Sequence, residues 1–187
     1  MNDAAVRDTL LHQFVYSLIV AGKSATFARS AIARVFSTGA KNLHRTLAVW
    51  VADGALDTRL RAARTGNYTK LVRALTYYVA CGIDLRTCTV NALETIPGVG
   101  PKTSRFFLLW TRPTEAHYAA LDVHVLRWLR SQGYDAPRQT PANRKKYAAL
   151  EAVFLGLAKE RGVTPAQLDA EIWEDGRRAY EEKRTNT

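Results

Sequence analysis

Apolar residues recur at intervals of three and four along almost all of this 187-residue chain, and nowhere do they alternate with polar ones over the length of a strand. That spacing matches the 3.6-residue helical repeat and excludes the two-residue repeat of a sheet with one wet face, so the predicted fold is all-α. Leu11, Phe14, Val15 and Leu18 define a helix within 5–20, and Ala28, Ala31, Ile32 and Val35 define a second. Leu43, Leu47, Trp50 and Val51 make a third, Leu56, Leu60 and Ala63 a short fourth, and Leu71, Leu75, Tyr78 and Val79 a fifth. Turn signals at Gly39, Gly54, Gly66 and Gly82 fall between them. Helical patterns return near 123–131, 144–160 and 165–182, and the polar tail 181-EEKRTNT-187 is expected to fray. The long irregular connections are 111-TRPTEAHYAAL-121 and 133-GYDAPRQTPANR-144.

Charge narrows the choice of partner. Lys and Arg number 27 against 17 Asp and Glu, a formal net charge of +10 spread along the sequence, which favours a polyanion such as nucleic acid. No apolar run is long enough to span a bilayer, and MNDAAVRDTLLHQ lacks the regions of a signal peptide, so an intracellular protein of the cytoplasm or nucleoid is expected. Cys81 and Cys88 are too few for a disulfide framework and lack zinc-ligand spacing.

The stretch 93-LETIPGVGPKTSRFFLLW-110 interrupts the helical rhythm. Residues 89–96 read as a helix that Pro97 ends; Gly98 and Gly100 permit unusual backbone angles, and Pro101 suits the first position of a second helix. The result is a helix–hairpin–helix over about 89–112, whose turn and helix start offer N–H groups and a helix dipole to a DNA phosphate. Gly98, Val99, Gly100 and Thr103 are the expected contacts. Hairpins of this kind serve DNA-binding modules without chemistry, in which Lys102 only touches phosphate. Twenty residues on, in 121-LDVHVLRWL-129, Asp122 precedes a helix with Val125, Leu126 and Leu129 inward, and so reads as its N-cap.

The hairpin lysine followed by D-x-H-x-x-R resembles the helix–hairpin–helix, glycine/proline-rich loop and aspartate superfamily of DNA glycosylases, which includes endonuclease III and the 8-oxoguanine DNA glycosylases. The stretch 65-TGNYTKLVRAL-75 is similar to the family's G-x-Y-x-x-K-A element, which places Lys70 and Arg73 beside DNA. The early helix–loop 18-LIVAGKSAT-26 occupies the place of a DNA-probing side chain, which points to Lys23 and Ser24.

The resemblance implies a bifunctional glycosylase/AP lyase of base excision repair, acting as a monomer on double-stranded DNA that contains a damaged or modified base. Lys102 would be the nucleophile that forms a Schiff base and Asp122 the carboxylate that stabilises charge on the sugar. His124 would contact phosphate, orient the pocket or serve a structural role, and Arg127 would pair with a phosphate or a carboxylate. Trp173, in an L-D-x-x-x-W ending similar to that of the smaller 8-oxoguanine enzymes, and Phe106 are candidates for the base pocket, although a core role is the favoured reading of Trp173 and, in so apolar a pattern, of Trp110 and Trp128. The family's iron–sulfur ligands are four C-terminal cysteines, and none follows Cys88, so no cofactor or metal is expected. The implied architecture is a helical barrel lobe over 25–115 and a second lobe from 1–24 plus 116–187, with DNA in the cleft between. 8-Oxoguanine is the favoured base. Oxidised pyrimidines, a hypermodified base, or a non-catalytic helix–hairpin–helix DNA-binding protein are the alternatives.

Overall fold

The computed structural model describes residues 3–36 and 42–185, with side chains through Arg178, so the turn signal at Gly39 lies outside the described residues. Every secondary-structure element among the described residues is a helix, with no strand: α1 (Asp3–Ile19), α2 (Ala25–Val35), α3 (Leu43–Ala52), α4 (Leu56–Ala62), α5 (Tyr68–Cys81), α6 (Val90–Glu94), α7 (Pro101–Thr111), α8 (Val123–Ser131), α9 (Arg144–Glu160) and α10 (Pro165–Thr185). Side-chain caps start several of them. Ser24, Asn42, Thr89 and Asn143 each accept the N–H three residues ahead, contributions of about 1 kcal/mol apiece. Thr164 and Gln167 exchange reciprocal bonds of 2.8 and 3.1 Å before α10, a capping box written T-P-A-Q. α10 runs on to Thr185, so helix covers most of the tail that was expected to fray.

Contacts divide the chain into two compact units, residues 1–107 and 108–187, with the boundary inside α7. In the first, α1 packs on α2 and α3, and α3 on α4 and α5. Its core holds Leu11, Val15, Leu18, Ile32, Leu47, Leu60, Leu71, Leu75 and Leu93. Phe14 sits at its centre with Tyr78 at 5.3 Å and Phe107 edge-on at 5.8 Å. Each buried leucine adds about 1.5–3 kcal/mol relative to exposure, which is why the inward positions of the helical repeat dominate the folding of this unit. By these contacts α1 goes with the first unit, whereas the family resemblance had put 1–24 with the C-terminal residues.

In the second unit α10 packs on α8 and α9 around Leu126, Leu129, Tyr147, Phe154, Leu168 and Ile172. Trp128 closes this core edge-on to Phe154 at 6.1 Å, with the Arg161 guanidinium over its ring at 5.2 Å, a core role as the helical pattern suggested. Trp110 differs. Its position looked inward in the periodicity, yet its side chain is 57% exposed one residue before α7 ends. No helix among the described residues is long and apolar enough to cross a membrane.

Candidate active site

The hairpin assembles from α6, the turn 95–100 and α7. Gly98 adopts φ +86°, a left-handed turn conformation that disfavours any residue with a Cβ. A Cβ there would also fall 2.9 Å from Lys70 Cγ, because the stem of that lysine lies across the turn. Burial pushes the Lys70 ammonium down from its ordinary range. Gly100 has no such constraint: its φ is ordinary and a Cβ would meet nothing within 4 Å, so the left-handed backbone expected of both glycines is needed only at Gly98.

The first bond of the α7 ladder runs from Ser104 N–H to the Gly100 carbonyl at 3.1 Å, so the N–H groups of Lys102 and Thr103 precede the ladder at the positive end of the helix. Thr103 itself is only 5% exposed, so its side chain is turned into the protein and away from a surface phosphate. Val99 is likewise buried, and its N–H donates to the Ile96 carbonyl at 3.0 Å. Of the four expected hairpin contacts, Gly98 and Gly100 fit an approach by the DNA backbone, and Thr103 fits it through its main chain alone.

Lys102, at the second position of α7, holds its Nζ 4.7 Å from the centre of the Phe106 ring one turn later. Phe106 in turn leans on Tyr16 of α1 at 6.3 Å, and burial raises the Tyr16 phenol against the opposing influence of Arg29. An aromatic face beside the amine suits a cation and equally a flat base.

Beneath this surface lies a buried acid that sequence reasoning missed. Glu94 of α6 is 5% exposed, and its Oε1 accepts from Arg105 Nη1 at 2.8 Å and lies 3.0 Å from the Ser104 hydroxyl. Both partners belong to α7, so one carboxylate fastens the two helices of the hairpin. The Pro101 carbonyl, 3.0 Å from the Ser104 hydroxyl and 3.3 Å from Arg105 Nη1, completes the cluster.

The early loop and the GNYTK element meet. The end of Lys23 comes within 3.5 Å of the place of a Cβ on Gly66 while its ammonium stands 5.5 Å from the Phe27 ring. Ser24 is engaged as the α2 cap, accepting from Phe27 N–H at 3.2 Å, which accounts for it structurally. Arg73 is exposed on α5, one turn beyond Lys70.

In the second unit Asp122 caps α8 as its sequence position suggested: Oδ1 accepts from His124 N–H at 2.8 Å and Val125 N–H at 3.0 Å. The loop before it is tightly held. Tyr147 Oη donates to the Ala119 carbonyl at 2.7 Å and accepts from Leu121 N–H at 3.2 Å. Glu151 accepts from Ala119 N–H at 2.9 Å, and Thr140 donates to the Leu121 carbonyl at 2.8 Å. These three side chains fix the backbone that delivers Asp122, and α9 supplies two of them. The His124 ring lies against α10 and receives a hydrogen bond from Arg127 Nη2 at 3.1 Å. Trp173 is half-buried on α10, next to the core residue Ile172. Lys23, Ser24, Lys70, Arg73, the hairpin residues and Phe106 thus belong to the first unit, and Asp122, His124, Arg127 and Trp173 to the second. Among the described residues no cluster of three His, Cys, Asp or Glu could hold a metal ion.

No protein-family model matches the chain. In sequence it is 35% identical over 81 residues to the 8-oxoguanine DNA glycosylase/AP lyase of Thermoplasma volcanium, a match to 43% of this chain and 37% of that protein. The chain therefore spans little more than a third of the curated relative it matches. In structure it superposes on the 8-oxoguanine DNA glycosylase of Thermotoga maritima with a TM-score of 0.68 and 19% identity, covering 89% of this chain and 79% of that one. Over nearly its whole length, then, the protein shares the all-α fold of that glycosylase.

Proposed function

We propose that the protein is a bifunctional DNA glycosylase and AP lyase of base excision repair that removes 8-oxoguanine from double-stranded DNA within the cell. The observation that carries this reading is the register of two residues: Lys102 in the first turn of the hairpin helix and Asp122 as the cap of α8. A purely phosphate-binding hairpin requires neither a capping aspartate at that distance nor an aromatic face beside its lysine. The names of the relatives in sequence and in fold favour 8-oxoguanine among the candidate bases.

A base within a duplex is out of reach, so the target nucleotide is extruded while the hairpin amides and basic side chains hold the bent backbone. The Lys102 amine then attacks C1′ of the sugar. The N-glycosidic bond breaks and the base departs with a proton; the C1′–O4′ bond of the ring then opens, O4′ taking a proton, and the enzyme is left joined to the sugar through a Schiff base. Loss of a C2′ proton expels the 3′ phosphate and nicks the strand. Asp122, held as the cap of α8, stabilises the positive charge that develops on the sugar. The half-buried Phe106 and Trp173 supply faces on which an extruded base stacks.

The test is base release from duplexes that each carry one lesion, comparing wild type with Asp122→Asn. The asparagine retains an oxygen for the cap, so α8 is kept while the charge is lost. Excision of 8-oxoguanine by the wild type and a drop of about 100-fold or more in Asp122→Asn are expected, in line with the loss of a preorganised charge. Excision confined to oxidised pyrimidines would reassign the substrate, and none from any duplex would leave a DNA-binding module.

A further inference from the structure

Gly176 lies in the middle of α10, where glycine costs about 1 kcal/mol relative to alanine, and its φ is not left-handed, so the backbone does not demand it. A neighbour does. A Cβ at 176 would fall 2.8 Å from His124 Nδ1, closer than such atoms approach, and 3.5 Å from Cε1, an ordinary contact. The imidazole edge therefore occupies the space that a side chain on α10 would fill. The same Nδ1 stands 3.1 Å from Arg127 Nη2, and a guanidinium only donates, so Nδ1 is the acceptor and a neutral ring carries its proton on Nε2. The main-chain N–H of this histidine meanwhile holds Asp122 Oδ1 at 2.8 Å.

We propose that Gly176 and Arg127 are positioning residues for His124: the glycine admits the ring against α10, and the guanidinium fixes Nδ1 as acceptor, so that Nε2–H is presented as a neutral donor to the DNA backbone beside Asp122. This assigns Arg127 to the histidine instead of to a phosphate, and gives the C-terminal helix a part in building the site. It rests on the reading of the protein as DNA-binding, but not on any base being released.

A double-mutant cycle tests it, read on affinity for a duplex with a tetrahydrofuran abasic-site analogue over a series of salt concentrations. Arg127→Met, a surface change, is expected to weaken binding about tenfold, the worth of one hydrogen bond from a charged group, without altering the salt slope. A fall in the slope of roughly 0.9 would mark a phosphate contact and overturn the assignment. Gly176→Ala is expected to weaken binding to a similar degree. In a His124→Ala background, where the ring is gone, both substitutions should change affinity by less than about twofold, whereas losses that simply add would refute coupling through His124. Nitrogen NMR of the wild type, at a pH where the ring is neutral, should show His124 with a pyridine-like Nδ1 whose signal moves in Arg127→Met; an unmoved signal would contradict the contact. A protein that passes this cycle but excises no base would refute the proposed activity alone, and one that excises base with additive losses would refute this inference alone.

Discussion

Replacing Glu94 probes the hairpin most sharply, because its cost can be worked from the geometry. The Glu94 and Arg105 side chains are 5% and 15% exposed and 2.8 Å apart, so alanine at 94 takes the carboxylate from a guanidinium that water scarcely reaches. Removing one partner of a buried pair costs about 3–5 kcal/mol. Here Arg105 retains the Pro101 carbonyl at 3.3 Å and Ser104 retains it at 3.0 Å, which places Glu94→Ala at the low end, about 3 kcal/mol. For a chain of this size each kcal/mol moves the unfolding midpoint by about 2–4 °C, so Tm is expected to fall by about 6–12 °C. Glu94→Gln keeps an oxygen that accepts from Arg105 and Ser104 but surrenders the charge, and should cost about 1–2 kcal/mol. Urea and thermal unfolding followed by circular dichroism give both values. A loss below about 1 kcal/mol in Glu94→Ala would refute the carboxylate as the tie between α6 and α7.

Two further substitutions address the backbone of the site. Gly98→Ala places a Cβ at φ +86° and 2.9 Å from Lys70 Cγ, so a loss of about 1–2 kcal/mol from the backbone alone is expected in urea unfolding, with stability equal to wild type as the contrary result. Tyr147→Phe removes the hydroxyl that ties the Ala119 carbonyl and the Leu121 N–H to α9 and leaves them their mutual bond of 3.1 Å, which should cost about 0.5–1.5 kcal/mol and speed hydrogen exchange at Leu121; unchanged exchange would show that the loop before Asp122 is held otherwise.

Much of the fold was legible because it is local. The bounds of α8 and α9 follow from Asp122 and Asn143, capping residues that stand directly before apolar periodicity. Gly98 and Pro101 likewise announce the turn and the start of α7. What stayed hidden depends on partners distant in the chain. Glu94 reads as an ordinary polar helix position until the turn folds Ser104 and Arg105 onto it, ten and eleven residues away. Tyr147 and Glu151 look like members of an amphipathic helix, yet their polar ends hold a loop about thirty residues upstream. The inward turn of the Thr103 and Val99 side chains was hidden for a related reason: a motif names the residues near a ligand but does not say which side chains turn inward. Gly176 carried no signal, because only the His124 ring explains it.

The central claim is that Lys102 does chemistry, and borohydride trapping measures it directly. Wild-type protein incubated with 8-oxoguanine or abasic duplex and borohydride should yield a covalent protein–DNA adduct, and Lys102→Gln should yield none while still binding DNA with an affinity that falls as salt rises. An adduct that persists undiminished in Lys102→Gln, or no adduct from the wild type on either duplex, would contradict the account.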